Sequence, residues 1–223
     1  GRVPEAHREA VLEAREHGLE VVIATGRNWA ESADALRSID DHGVMICAGG
    51  AMLCGSLEGE VIRSRTLPSD RVADIAERII AHGHLAHLLQ DHGRCEVDYI
   101  LVGRSEPDPA TTWWLREHDV RARFVDDLDG IDLTTTMRVG TVGTSSTLHS
   151  AVDEVRATWG DAITLQHWPA VVESAATGTT THLLEIFDRG VDKWAMIVEL
   201  IADRGLRPEQ VVAIGDGLND VMM

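Results

Sequence analysis

The chain has 223 residues, a formal net charge of −17 and an ordinary hydrophobic fraction of 44%. This length suits one large domain or two modest ones. The acidic charge argues against nucleic acid as a partner, no apolar stretch is long enough to span a membrane, and three cysteines without a CxxC pair suit a reducing cytoplasm. We therefore expect a cytoplasmic protein that binds neither nucleic acid nor membranes, and the sequence leaves its oligomeric state open.

The first part of the chain alternates between helices and short apolar runs. We predict, in order, a helix from Pro4 to a stop at Gly18, a strand over Glu20–Ala24, a helix over about Trp29–Ile39, a strand over Val44–Cys47, a glycine-rich turn over Ala48–Ala51 and a hairpin over about Leu53–Thr66. The β-branched run at the first strand is typical of a fully buried strand in a parallel sheet.

From about residue 68 to residue 186 the pattern changes to helices mixed with β-rich runs. The predicted elements are a helix from Ser69 to Gly83, strands near Leu85–Leu89 and Glu96–Val102, a helix carrying Trp113 and Trp114, a strand over Thr134–Val142, a helix that begins at Ser145 or Ser146, and strands over Ile163–His167 and His182–Phe187. This α+β stretch is predicted to form a separate domain inserted into the first.

The α/β pattern then resumes with a helix that stops at Gly205. Val211–Ile214 follows as a predicted buried parallel strand. The predicted fold class is therefore α/β. We expect a Rossmann-like parallel-sheet core formed by residues 1–67 and 187–223, with an inserted α+β domain formed by residues 68–186.

Two carboxylates follow the last predicted strand. Asp216 and Asp220 are four residues apart, so the first turn of a helix can direct both at one point. Carboxylate oxygens are the ligands that a hard divalent cation such as Mg²⁺ prefers. The residue types and their spacing therefore predict a metal site at Asp216 and Asp220.

Lys193 is the only lysine among twenty basic residues, and it lies just before the helix that leads to those carboxylates. A compact ammonium suits a place where a point charge must neutralise crowded oxygens. Thr25 and Gly26, at the end of an earlier strand, offer a hydroxyl and a backbone N–H to a phosphate. Because open parallel sheets bind ligands beyond the carboxyl ends of their strands, we predict that these groups together hold a phosphoryl group and its Mg²⁺.

Three segments resemble motifs of the haloacid dehalogenase superfamily of phosphatases. The resemblance is strongest to the Cof-type subgroup, in which a cap domain is inserted between the second and third motifs. Val22–Arg27 resembles the second motif, Gly190–Lys193 the third and Gly215–Asp220 the fourth. Their order and spacing match the family over essentially the whole chain.

The resemblance implies a Mg²⁺-dependent phosphomonoester hydrolase that acts on a small soluble phosphate, such as a sugar phosphate or a phosphorylated cofactor, through an aspartyl-phosphate. The site residues that it implies are Thr25 and Lys193 for catalysis, Gly26 and Asn219 beside them for phosphate or substrate binding, and Asp216 and Asp220 for Mg²⁺.

The family's first motif, DxDGT or DxDxT, supplies an aspartate nucleophile and an aspartate acid/base, and these 223 residues do not contain it in a matching position. Asp126–Gly130 has a superficially similar pattern, but no buried strand is predicted before it. We expect an Asp-x-Asp pair on a buried strand within about 20 residues upstream of Gly1. Gly50 also departs from the family, which usually has asparagine at this position.

Three alternatives stay open. A non-catalytic phosphate-binding or metal-binding relative would keep the binding residues without a nucleophile. A phosphomutase of related fold would need a phosphosugar activator. A cation-pumping ATPase phosphorylation domain has a similar fourth motif, but the insertion after the threonine motif and the lack of membrane spans count against it.

Overall fold

The computed structural model describes residues 3–39, 43–170, 180–217, 220–221 and 223. Its contacts divide the chain into two compact units. We call Gly1–Ser64 together with Asp192–Met223 the core unit, and Arg65–Val191 the inserted unit. No helix in the described ranges is long and apolar enough to cross a membrane.

The core unit begins with two helices and a small mixed sheet. Its elements before the inserted unit are α1 (Glu5–Glu16), β1 (Ile23–Ala24), α2 (Trp29–Ser38), β2 (Val44–Cys47), β3 (Met52–Gly55) and β4 (Val61–Ser64). β1 pairs with β2 in parallel, with Ile23 opposite Met45, and β2, β3 and β4 are antiparallel neighbours. The carboxyl ends of β1 and β2 therefore lie side by side.

A reciprocal cap encoded in the local sequence starts α2. The Asn28 side chain accepts a hydrogen bond from the Glu31 backbone N–H at 2.8 Å, and the Glu31 carboxylate accepts one from the Asn28 N–H at 2.9 Å. Such a capping box satisfies two of the N–H groups that a helix start leaves without intrahelical partners. The cap sets the point at which the chain leaves the turn after β1 and becomes helical.

The inserted unit is a six-stranded sheet with α3 and α5 packed on one face. Its elements are α3 (Ser69–Ala81), β5 (Ala86–Gln90), β6 (Tyr99–Val102), α4 (Pro109–Glu117), β7 (Ala122–Val125), β8 (Thr136–Gly143), α5 (Ser145–Trp159), β9 (Ile163–Pro169) and β10 (His182–Asp188). The strand order is β7-β6-β5-β8-β10-β9, and β6 with β7 is the parallel pair among antiparallel neighbours. Ile75 of α3 and Val152 of α5 belong to one buried apolar cluster with Leu88 and Val139 of the sheet.

The sequence pattern does not predict β7. The segment has no continuous apolar run, and its side chains are half-buried or exposed in the structure. Arg121 immediately precedes β7 and is held by the Asp98 carboxylate. This carboxylate accepts hydrogen bonds from the Arg121 backbone N–H at 2.8 Å and from the Arg121 guanidinium at 2.9 Å. A contact between distant residues, rather than a local pattern, positions this strand.

The chain returns to the core unit at α6 (Lys193–Asp203). The Asp192 carboxylate caps this helix by accepting a hydrogen bond from the Ala195 N–H at 2.8 Å. Met196 and Leu200 on one face of α6 pack against Ile46 and Leu53 of the sheet. The helix is therefore anchored to the two strands that carry the glycine-rich turn between them.

The predicted buried strand over Val211–Ile214 is wrong. Residues 211–216 have no regular secondary structure, and Val212 and Ile214 are 87% and 90% exposed. The strand predicted over Glu20–Ala24 is likewise reduced to Ile23–Ala24, which is half-buried. A strand needs neighbours that supply backbone hydrogen bonds, and in the described part of this sheet β1 is an edge strand beside β2. The apolar composition of these two segments therefore predicted more burial than the structure shows.

Candidate active site

Thr25 follows β1 directly, at the end of the sheet where β2 also ends. Its backbone N–H donates to the Ile46 carbonyl at 2.9 Å, and its hydroxyl oxygen accepts from the Arg27 N–H at 3.2 Å. Thr25 and Gly26 are both half-buried. The turn therefore places a hydroxyl group and a glycine backbone beyond a strand end, where a phosphate group can approach closely.

The glycine-rich turn after β2 is bonded to the Thr25 turn. The Ala48 N–H donates to the Arg27 carbonyl at 2.7 Å, and the Gly49 N–H donates to the Thr25 carbonyl at 3.1 Å. Ala48, Gly49 and Gly50 all have positive φ, at 52°, 66° and 102°. Positive φ at alanine is strained, and such strain persists only where the surroundings hold it. The two strand ends are thus joined through an unusual backbone conformation.

Gly50 brings this turn against the start of α6. A Cβ atom at Gly50 would lie 2.1 Å from the Asp192 carbonyl oxygen and 2.6 Å from the Lys193 backbone nitrogen. The space is filled by backbone, so a side chain at this position would not fit. The turn is therefore a direct neighbour of the Lys193 backbone.

Lys193 is the first residue of α6, and only 5% of its surface is exposed. Its ammonium lies 2.5 Å from Asp220 Oδ1. A cation is poorly placed at a helix N-terminus, and a buried ammonium needs an anionic partner. Asp220 is that partner, so a residue 27 positions away stabilises the charge of the only lysine in the chain.

Asp220 uses both carboxylate oxygens within this site. Oδ1 accepts from Lys193, and Oδ2 accepts from the backbone N–H groups of Gly217 at 3.1 Å and Asp216 at 3.2 Å. Burial is the largest single influence on its pKa and acts to raise it, but the Lys193 hydrogen bond and charge together with the two N–H donors leave the pKa below its ordinary value. Asp220 is therefore a carboxylate anion held by the loop and the lysine.

Two predicted residues remain, Asp216 and Asn219. Asp216 is exposed, and its backbone N–H donates to Asp220. Asn219, the predicted phosphate-side amide, lies outside the described residues. Hydrogen bonds and close contacts thus join Thr25, the glycine-rich turn, Lys193 and Asp220 within the core unit.

A separate cavity of about 620 Å³ lies in the inserted unit, where it is lined by Thr144, Ser145, Ser146, His149, Thr180 and His182. Of the predicted site residues that the structure describes, none lines it. The sequence pattern did not single out this cavity. The cationic and acidic groups described above are therefore the better candidate for chemistry on a phosphate, although they do not line the cavity.

The fold is similar to those of several solved structures. A haloacid dehalogenase-like hydrolase from Bacteroides thetaiotaomicron is 21% identical, with a TM-score of 0.74 over 99% of this chain and 77% of that one. A haloacid dehalogenase subclass IIB sugar phosphatase is 19% identical, with a TM-score of 0.75 over 99% and 76% of the two chains. A haloacid dehalogenase/COF-like hydrolase from Plasmodium vivax is 17% identical, with a TM-score of 0.72 over 99% and 74%. These identities show the fold, and the predicted α/β class with an inserted domain is confirmed.

Comparison with the curated proteins gave no match. Residues 1–223 match one family model, which is described as haloacid dehalogenase-like hydrolase. The match covers the segments around Thr25, Lys193 and Asp216 that carry the sequence resemblance. The resemblance is therefore confirmed, and the chain belongs to the family of haloacid dehalogenase-like hydrolases.

Proposed function

We propose that this protein is a Mg²⁺-dependent phosphomonoester hydrolase that acts on a small soluble phosphate, such as a sugar phosphate or a phosphorylated cofactor. The observation that carries the proposal is the buried Lys193 ammonium, which Asp220 holds beside the turn linked to Thr25. A chain with a net charge of −17 repels anions at long range, so a local cation is needed to bind one. Membership of a hydrolase family and the fold shared with a sugar phosphatase support the same choice.

Thr25 and Lys193 are the residues that would act on the phosphoryl group. The Thr25 hydroxyl would donate a hydrogen bond to one phosphoryl oxygen, and Gly26 would let the group approach the backbone closely. Lys193 would offset the negative charge on the transferring group, and its charge is weakly screened because the side chain is buried. The substrate would therefore be positioned by groups held on the first turn after β1 and the first turn of α6.

The acidic residues fit a hydrated Mg²⁺. Asp216 is exposed and Asp220 is bonded to its backbone, and Mg²⁺ is usually held by one or two carboxylates together with waters and substrate phosphate. Among the described residues there is no group of three His, Cys, Asp or Glu side chains that could hold a metal ion, so these residues do not form a closed protein cage. When bound, Mg²⁺ would polarise the phosphoryl group and neutralise part of its charge.

We propose an aspartyl-phosphate intermediate, as the family resemblance implies. The acids of this site have other tasks, since Asp192 caps α6, Asp220 pairs with Lys193 and Asp216 is the proposed metal ligand. The attacking aspartate is therefore none of these residues. Lys193 and Thr25 would hold the phosphoryl group both when the intermediate forms and when water hydrolyses it.

A non-catalytic phosphate-binding relative is the second candidate. It is favoured by the fact that, among the described residues, none of the acids meeting at this site is left to act as the nucleophile. Such a protein would bind inorganic phosphate through the same Lys193 and Thr25 groups and release none from an ester.

The test is phosphate release from a panel of sugar phosphates and phosphorylated cofactors, measured with and without Mg²⁺ on protein expressed from the whole gene. We expect Mg²⁺-dependent release that Lys193→Met abolishes and that Arg37→Met, at a half-exposed side chain on α2, leaves intact. Binding of inorganic phosphate in a calorimeter without hydrolysis of any panel member would favour the binding relative. Failure to bind or hydrolyse any phosphate would overturn both candidates.

A further inference from the structure

Two thiols lie close together in the core unit. The Sγ atoms of Cys47 and Cys54 are 3.8 Å apart, and both residues are fully buried. They belong to the antiparallel strands β2 and β3, where Cys47 is opposite Met52 and Cys54 is opposite Met45. The two cysteines are thus diagonal neighbours on the same face of the strand pair.

The distance between the sulfurs is short enough for a covalent bond after a small movement. A disulfide bond is about 2.05 Å long, so the two sulfurs must approach each other by about 1.8 Å. The pairing of β3 with β4 shifts register between Leu53 and Cys54, and such an irregularity bends a strand locally. Cys54 therefore lies where the sheet is least regular, and closure requires a local adjustment rather than a change of fold.

The two faces of this strand pair are held differently. Ile46 and Leu53 point to the opposite face and pack on α6 through Met196 and Leu200. Cys47 is the last residue of β2 and leads directly into the glycine-rich turn over Ala48–Gly50. A movement of Cys47 therefore acts on the turn rather than on the strand that α6 anchors.

The turn passes such a movement to the phosphate-binding groups. Gly49 donates its N–H to the Thr25 carbonyl, and Gly50 has no room to move toward Asp192 and Lys193. Packed groups without spare volume transmit a displacement instead of absorbing it. A bond between Cys47 and Cys54 would therefore disturb the hydrogen bond at Thr25.

We propose that Cys47 and Cys54 form a redox modification site, at which hydrogen peroxide produces a reversible disulfide that alters the glycine-rich turn. One sulfur takes an oxygen from the peroxide, whose O–O bond breaks and releases a first water, leaving a sulfenic acid. The second sulfur attacks that sulfur, the S–O bond breaks and a second water leaves. Two thiols are oxidised to one disulfide, and one hydrogen peroxide is reduced to two waters.

The effect on phosphate chemistry rests on the function proposed above, whereas formation of the bond does not. Because both cysteines are buried, the peroxide reaches them when the strand pair opens locally. Cys95, the third cysteine of the chain, is half-buried and lies in the inserted unit. Its removal leaves the pair as the only thiols among these 223 residues.

The test uses the Cys95→Ser variant, treated with hydrogen peroxide and analysed as the intact protein by mass spectrometry. We expect a loss of about 2 Da that dithiothreitol reverses, the signature of one disulfide. Backbone amides of residues 48–51 should then exchange with deuterium about tenfold faster, because the Gly49–Thr25 hydrogen bond is weakened. The Cys47→Ser/Cys95→Ser and Cys54→Ala/Cys95→Ser variants are the controls and should show neither change, and two chemically different replacements guard against one that disturbs folding.

The three measurements test three separate claims: formation of the disulfide, its effect on the glycine-rich turn, and the proposed function. Unreacted thiols or sulfinic acid in the folded Cys95→Ser protein would overturn the redox site. A disulfide with unchanged exchange at residues 48–51 would overturn its action on the turn. Lack of phosphate release by the reduced protein would count against the proposed function and would leave the mass and exchange results standing.

Discussion

The Lys193 ammonium and the Asp220 carboxylate lie 2.5 Å apart, with 6% and 13% of their side chains exposed. The pair connects the start of α6 to the backbone at Asp216 and Gly217, because Asp220 also accepts hydrogen bonds from these two N–H groups. Removal of either member would leave the other as an uncompensated buried charge. The pair therefore holds the two segments together and also compensates the buried charge of Lys193.

We expect Asp220→Asn to lower the free energy of unfolding by about 3 kcal/mol, the usual cost of breaking a buried ion pair. The double variant Lys193→Met/Asp220→Leu should recover most of that loss, because no buried charge remains. Urea unfolding of the two variants and the wild type at pH 7 measures both effects. Equal losses in the single and double variants would show that the pair does not act as a charge pair.

Acid should remove the contribution of Asp220. Its folded-state pKa lies below the ordinary value of 3.8, so its stabilising effect is present above that pH and is lost as the pH falls through the folded pKa. The acid-induced fall in the free energy of unfolding below this pH should therefore be smaller in Asp220→Asn than in the wild type. Melting temperatures across the acid range, with Asp34→Asn at a fully exposed side chain as the control, check the difference.

Lys193→Arg should reduce phosphate release at least about a hundredfold, because a planar guanidinium does not fit the buried place of a compact ammonium paired with Asp220. Arg37→Lys, the reverse exchange at an exposed position, should leave turnover unchanged. Steady-state hydrolysis and thermal melts of both variants give the comparison. Near-normal turnover in a folded Lys193→Arg protein would contradict the proposed catalytic role of Lys193.

Asp216→Asn should abolish most hydrolysis at every Mg²⁺ concentration, because a carboxylate ligand becomes a neutral amide. Without metal, the melting temperature should stay the same or rise, since the change removes repulsion between two nearby acids. Hydrolysis is measured against Mg²⁺ concentration, with melts alongside and Asp34→Asn as the matched surface control. Full turnover at saturating Mg²⁺ would exclude Asp216 as a metal ligand.

Gly50→Ala should destabilise the core unit more than Gly18→Ala does. Both glycines have positive φ, at 102° and 79°, but a Cβ meets the Asp192 carbonyl at Gly50 and meets nothing within 4 Å at Gly18. Both changes carry the cost of alanine at positive φ, about 1–2 kcal/mol, and the clash should add at least about 2 kcal/mol more at Gly50. Urea unfolding curves of the two variants separate the cost of positive φ from the cost of the clash. Equal losses of unfolding free energy would contradict the close approach of Gly50 to Asp192.

His87 should make the inserted unit less stable in mild acid. Burial, and secondarily the Arg138 charge, lower the pKa of His87 to about 3 from an ordinary value of 6.5. The histidine is therefore neutral in the folded state, and stability falls as the pH drops below 6.5 toward 3 because the unfolded chain binds the proton. The slope should approach about 1.4 kcal/mol per pH unit and should flatten in His87→Gln. His149→Gln, at a side chain that is 75% exposed, should keep the wild-type slope.

Local patterns were sufficient for the features that depend on near neighbours in the chain. The apolar spacing of Val72, Ile75 and Ile79 indicated α3, and the same residues line one face of that helix in the structure. The three motif segments were likewise enough to indicate the family, which the family model confirms. Periodicity and motif spacing depend on residues a few positions apart, so they can be recognised from the sequence without knowledge of the fold.

Other features depend on residues that the chain brings together from far apart. The sequence alone determined the α/β class and the family, and it predicted which residues would bind phosphate. Only the tertiary structure decided that Asp220 holds Lys193, that Asp192 fills the side-chain space at Gly50, and that Val212 and Ile214 lie exposed. Ion pairing, close packing and strand pairing are properties of neighbours in space, and a run of apolar residues does not specify whether a partner strand lies beside it.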